Sequence, residues 1–308
     1  MMRYVLACLV LFFSTALQAK ETITVVTYNS PAATAYSYYL KIIDAANSIQ
    51  NDYEFVLVSK PGAQGQIALQ YMDQSPDNRL AVIYPAFVEL SYSGKIKAQQ
   101  YVAVSAQGKA CWVLISPFGS SRSGVAGLYG HDRITLGTVG IGSAAHLTAL
   151  ILGEHFGFKT QPILFKSNFE ALVLMAGDES INLVVESPNS YLNLKQQNPR
   201  LQALGVTCDQ RNPKLPEVRT LKEQGYDVPS IWYYTMANQR MALKKRVALG
   251  EILDRAMTQM GKKEIEELVD FAVPVLNHQS TQAAWKKDFD SIYTLKKKFQ
   301  NQLDADSK

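Results

Sequence analysis

Apolar positions along the chain alternate between two patterns, short unbroken runs and stripes at three- and four-residue spacing. The run 23–28 predicts a buried strand; after the turn 29–34, Tyr36, Tyr39, Leu40, Ile43 and Ala46 share one side of a helix. A second unit repeats the scheme with a strand at 55–58, a turn at 60–65 and a helix over 66–73. Strands at 80–83 and 111–116 complete the first region. This order predicts a mostly parallel sheet covered by helices, with ligands at the carboxyl ends of its strands.

From 118 to 130 the composition changes to Gly119, Ser120, Ser121, Ser123, Gly124 and Gly127, which predicts a crossing between domains. Beyond it come a strand at 134–136, a glycine-rich loop, and a helix from Ala144 with Leu147, Leu150, Ile151 and Phe156 on one side. A strand at 162–165 leads into the turn Lys166, Ser167, Asn168 and a helix around 172–176. Strands at 181–185 and 201–206 lead into Glu186 and Thr207. After Asp227-Val228-Pro229, a strand at 231–236 is expected to return to the first domain. The tail reads as a helix carrying Val247, Ile252, Leu253, Ala256 and Met260, a strand at 272–276, and a helix over about 281–299. In that last helix the run Lys296-Lys297-Lys298 reads as a solvated face at the negative end of the dipole. The expected division is 20–117 with 230–308 for one lobe and 118–229 for the other.

The first 19 residues carry Arg3, an apolar run over 5–13 and a small-residue end at Ala19, the pattern of a cleaved secretory signal too short to span a bilayer. Its removal would leave 289 of the 308 residues, with 30 basic against 27 acidic side chains. So slight and dispersed an excess argues against nucleic acid. Cys111 and Cys208 would remain, each in or beside an apolar run. They are expected to pack as small hydrophobes, with pairing as the alternative in an oxidising compartment.

Candidate chemistry concentrates at Gly137-Thr138-Val139-Gly140-Ile141-Gly142-Ser143. A strand-to-helix turn of this kind exposes amide N–H groups, Ser143 fits the N-cap position, and the helix start carries roughly +0.5 charge. The loop therefore reads as half of a carboxylate clamp, against the plainer reading of a tight turn. The glycine spacing is not that of a dinucleotide fold, and no Gly-Lys-Ser/Thr for nucleoside triphosphates occurs. An enzyme is the rival class, but Gly-x-Ser-x-Gly and His-x-x-x-His are both absent and His131, His146, His155 and His278 are scattered. No metal or cofactor is expected. His146 reads either as a structural residue tying the loop to the opposite strand or as a ligand contact. Lys166 is either solvated or adds charge to a cleft mouth. Glu186 is placed near a ligand by following an apolar strand. Trp232, Tyr233 and Tyr234 read as hinge packing or as a cleft wall.

Five collinear blocks resemble the periplasmic solute-binding proteins of tripartite tricarboxylate transporters, the TctC or Bug receptors. They are 60–67 (Lys-Pro-Gly-Ala-Gln-Gly-Gln-Ile), 76–80 (Pro-Asp-Asn-Arg-Leu), 137–147 ending Gly-Ser-Ala-Ala-His-Leu, 201–211, and 215–226 (Leu-Pro-Glu-Val-Arg-Thr-Leu-Lys-Glu-Gln-Gly-Tyr). The likeness runs over about 23–291. It implies an α/β fold of two lobes, a type II-like periplasmic binding protein, each lobe a mostly parallel sheet flanked by helices. It also implies a monomeric receptor that binds a small organic carboxylate and serves membrane subunits of a transporter; a ligand sensor docking a membrane partner is the alternative. Carried over by position, the first-lobe contacts would be Ser30, Ala32, Ala33, Gly62, Ala63, Gln64 and Gly65. The second-lobe contacts would be Gly142, Ser143, His146, Lys166, Ser167, Asn168 and Glu186. Ala32 and Ala33 stand where the family has glycines, and Ala35 where it has an acidic residue.

Overall fold

The computed structural model describes residues 20–31, 34–83, 86–120, 122–178, 180–228, 232–269 and 275–307. The segment expected as a signal, 1–19, lies outside them, as does most of the strand expected at 272–276; 275–277 have no regular structure. In chain order the strands are β1 (Glu21–Thr27), β2 (Tyr53–Ser59), β3 (Arg79–Val82), β4 (Tyr101–Lys109) and β5 (Val113–Ser116). Then follow β6 (Arg133–Thr138), β7 (Lys159–Leu164), β8 (Leu183–Glu186), β9 (Gln202–Val206) and β10 (Trp232–Asn238).

These strands form two five-stranded mixed sheets of the same design, ordered β2-β1-β3-β10-β4 and β7-β6-β8-β5-β9. In each, a central strand is flanked by two parallel partners, as β1 is by β2 (Ile23 opposite Phe55) and β3 (Val25 opposite Leu80). The antiparallel strand in each sheet is the first one after a crossing. From β4 the chain crosses at 110–112 and β5 lies antiparallel between β8 and β9; after β9 it recrosses and β10 lies antiparallel between β3 and β4.

The run 111–116, expected in the first region, thus belongs to the second sheet, where Leu114 pairs with Val185 and Val113 with Val206. A short buried apolar run reads alike in either sheet, so only the pairing decides. The first crossing therefore falls ahead of Phe118, and the glycine- and serine-rich stretch carries a short 3-10 turn, Gly124–Leu128, within the second lobe. Strand β4 escaped notice because Ser105, Gln107 and Lys109, all buried, interrupt its apolar pattern.

Helices α1 (Thr34–Ser48), α2 (Gln66–Asp73) and α3 (Ala86–Tyr92) belong to the first lobe, and α4 (Ala144–Phe156), α5 (Asn168–Gly177) and α6 (Pro188–Lys195) to the second. The tail supplies α7 (Leu243–Val269), interrupted at Gly261 (φ 78°, ψ 161°), then α8 (His278–Lys298) and α9 (Gln300–Asp306). Tyr38, Ile42, Leu249 and Leu253 pack α1 and α7 on one face of the first sheet. Leu69, Phe87 and Trp285 pack α2, α3 and α8 on the other, and that cluster continues through Ile292, Phe299 and Leu303 to Leu147 and Leu150 of α4. The C-terminal helices therefore join the lobes through apolar contact as well as chain. Among the described residues no helix is long and apolar enough to cross a membrane.

Cys111 and Cys208 are disulfide-bonded, with Cα atoms 4.8 Å apart, correcting the expectation that they pack as free thiols. Ninety-seven residues apart in sequence, they meet because the first crossing runs alongside the end of β9. Cross-linking so long a loop restricts the unfolded chain. Replacing both cysteines by alanine is expected to lower stability by about 2–4 kcal/mol, read as a lower urea midpoint with native ligand response retained.

Candidate functional site

The glycine loop after β6 and the N-terminus of α4 form one wall of a cleft of about 390 Å³ between the lobes. Gly142 adopts φ 75°, and its N–H donates to His146 Nδ1 at 3.0 Å. Ser143 caps α4: its Oγ accepts from the His146 N–H at 3.3 Å and lies 2.9 Å from Thr138 Oγ1. The first backbone bond of the helix runs from the Leu147 N–H to the Ser143 carbonyl at 2.9 Å. The amides of Ala144 and Ala145 precede it and so take no bond within the helix, and both residues line the cleft. This is the donor-rich turn expected from the sequence, with one change. The Gly142 amide is already occupied by His146.

His146 is fully buried, and burial lowers its pKa while Asp306 acts in the opposite sense. With Nδ1 accepting from Gly142, its proton sits on Nε2, which faces Asp306 Oδ2 at 3.0 Å. It ties the loop to α9, at the far end of the chain, and not to a strand.

The opposite wall comes from the first lobe. Tyr28 and Asn29 follow β1, Tyr39 comes from α1, Val88 and Glu89 from α3, and Tyr233 from β10. Burial raises the pKa of Tyr28 and of Tyr39, so both rings remain neutral phenols. From α8 comes Lys296, whose side chain is 2% exposed and whose Nζ is paired with Glu89. This corrects the reading of the lysine run as a solvated face: Lys297 and Lys298 are exposed, but Lys296 is in the core. Burial lowers its ammonium to about 8, so it stays charged at neutral pH. A Cβ at Gly142 would stand 2.6 Å from Lys296 Nζ and 3.1 Å from Glu89 Oε2; glycine is there for space as well as for its φ.

Of the expected site residues, Gly142, Ser143 and Asn168 line the cleft. His146 lies behind the loop. Gly65 backs the first-lobe wall, a Cβ there falling 3.6 Å from Ala86 Cβ and 3.7 Å from the Tyr28 ring, while Gly62, Ala63 and Ser30 are exposed outside it. Lys166 and Ser167 shape the start of α5, the Lys166 amide donating to Glu170 at 3.1 Å and Ser167 Oγ accepting from the Glu170 N–H at 3.2 Å. Glu186 ends β8 and accepts from the Ser187 N–H at 2.7 Å. Ala32, Ala33 and the Gln64 side chain lie outside the described residues. Sequence reasoning missed Glu89, Lys296 and the rings of Tyr28, Tyr39 and Trp112; of the three aromatic residues offered as a cleft wall, Tyr233 lines it. A signal for Lys296 existed: positions 281, 285, 288, 292, 296, 299 and 303 form one helical stripe that is otherwise mostly apolar. Among the described residues no cluster of His, Cys, Asp and Glu could hold a metal ion.

A family profile described as the tripartite tricarboxylate transporter family receptor, TctC, matches residues 45–285. The chain belongs to that family. No curated protein matches it closely enough to count as a relative. Among solved structures, a TctC solute-binding protein from Polaromonas superposes with a TM-score of 0.74 at 18% identity, covering 90% of this chain and 98% of that one. An R. palustris protein with adipate gives 0.70 at 17% identity, covering 90% and 96%. MatC from Rhodopseudomonas palustris with bound malate gives 0.66 at 15%, covering 89% and 98%. These likenesses establish the two-lobed binding-protein fold of the receptor. Its C-terminal helix continues past the family match, so Lys296 and Asp306 lie outside it.

Replacing Asp306 by alanine removes the carboxylate facing a buried imidazole. The expected cost is about 1–3 kcal/mol in urea unfolding, with faster amide exchange at Gly142.

Proposed function

We propose that the chain is an extracytoplasmic receptor that captures a small organic carboxylate between its lobes and delivers it to the membrane subunits of a tripartite tricarboxylate-type transporter. The observation that carries this reading is the convergence, on one cleft, of the capped start of α4 and the Lys296 ammonium. Two amides at a helix N-terminus and a cation less than a side chain's width from Gly142 make an anion site in a partly water-excluded space. Charge-assisted hydrogen bonds contribute about 1.5–3 kcal/mol each, so three of them supply about 4.5–9 kcal/mol, and burial of the ligand against the apolar cleft wall has to offset the cost of association before micromolar affinity is reached. Membership of a solute-binding receptor family, and the adipate and malate bound by proteins of the same fold, support a carboxylate as the cargo. Export through a cleaved N-terminal signal and action as a monomer belong to the same proposal.

A thermal-shift screen of dicarboxylates, tricarboxylates, aromatic acids and amino acids tests it. A ligand at 100 times its dissociation constant adds about 2.7 kcal/mol, a shift of several degrees. Neutral sugars or amines shifting the transition while no carboxylate does would rule the reading out.

The pH dependence has a definite sign. Lys296 attracts the carboxylate only while protonated, and burial has brought its pKa down to about 8. Affinity measured by calorimetry is expected to be flat from pH 6 to 7, then to weaken by up to about tenfold per unit as pH rises beyond that pKa. Lys296→Met should abolish this dependence along with most of the affinity.

A further inference from the structure

Two opposite charges meet inside the cleft, and a carboxylate cargo uses only one of them. Lys296 reaches the cleft from α8 and Glu89 from α3, paired with each other, and the glycine loop of the second lobe closes against both. Hydrogen-bond donors are the Lys296 ammonium and the amides of Ala144 and Ala145. Acceptors are the Glu89 carboxylate, 29% exposed, and Asn168 Oδ1, which is buried without a partner among the described residues. Around them stand the rings of Tyr28, Tyr39, Trp112 and Tyr233.

A ligand bearing carboxylates alone satisfies the donors but sets further negative charge against Glu89 and leaves Asn168 Oδ1 unpaired, an omission that costs about 1–3 kcal/mol for a buried acceptor. A ligand that also carries an ammonium satisfies both sets. Its charge replaces the partner that Glu89 gives up when Lys296 turns to the carboxylate, and aromatic faces favour a cation. Resting on the carboxylate-receptor reading, we propose that the cargo is an amine-bearing carboxylate of amino-acid type, its carboxylate held by Lys296 and the α4 amides and its ammonium by Glu89 and Asn168.

The test is calorimetry on the mature chain with probes matched in carbon skeleton: glutamate against glutarate, phenylalanine against 3-phenylpropanoate, alanine against propanoate. In at least one pair the amino member is expected to bind about tenfold tighter or more, the scale of one charge-assisted contact. Glu89→Gln should erase that preference, read as the ratio of the two affinities within a pair, and Lys296→Met should weaken both members; circular dichroism melts confirm that each variant is folded. Equal or tighter binding of the deamino members, or a preference that survives Glu89→Gln, overturns the inference and leaves the carboxylate receptor standing. Binding by neither member of any pair overturns the inference also; the receptor reading falls with it only if no carboxylate in the wider screen shifts the unfolding transition.

Discussion

A buried ammonium must have company, and the region between the lobes is built around one. Lys296 sits on the apolar stripe of α8 among Trp285, Ile292 and Phe299, where an unpaired charge would cost several kcal/mol. Glu89 pairs with it, and the Tyr92 ring lies 5.4 Å from Nζ. The neighbouring loop has no side chain at Gly142, because one there would meet Nζ. His146 then holds the Gly142 amide, and Asp306 faces His146. Each contact depends on the position of the one before it, and the series begins and ends on the C-terminal helices.

That dependence gives those helices a part in joining the lobes. α8 packs on the first sheet, yet Phe299 at its end and Leu303 of α9 belong to the same buried apolar cluster as Leu147 and Leu150 of α4 in the second lobe. The exposed pair between Lys298 and Glu154 follows the same path and adds little by itself. At the other edge of the crossings, Lys109, 9% exposed, pairs with Asp209 beside the Cys111–Cys208 disulfide. Burial pushes the Asp288 carboxyl up to about 7, against the pull of Lys109, and the Tyr234 hydroxyl donates to it at 3.3 Å.

How much of this the sequence disclosed depends on the range of the interaction. Strands β1, β2, β6 and β9 and the N-cap at Ser143 were legible because periodicity and capping act within a few residues. The family blocks disclosed the two-lobed fold although the chain shares under a fifth of its residues with the solved relatives. What was lost was long-range. The run 111–116 could not reveal its sheet, nor could Cys111 and Cys208 reveal that a crossing brings them together. Three consecutive lysines hid the difference between Lys297, which points to water, and Lys296, which occupies a stripe position. In the candidate site the loop was legible because its glycines are adjacent in sequence; Glu89, Asn168 Oδ1 and Lys296 form a set only in three dimensions.

The central claim is that the glycine loop of one lobe and Lys296 from the C-terminal helix grip the same carboxylate. A crystal structure of the chain with its tightest-binding carboxylate tests this directly. The expected result is a carboxylate oxygen within hydrogen-bond distance of Lys296 Nζ and the other near the amides of Ala144 and Ala145. A ligand bound elsewhere, or one seated in the cleft with Lys296 still paired to Glu89 and out of its reach, would contradict the account.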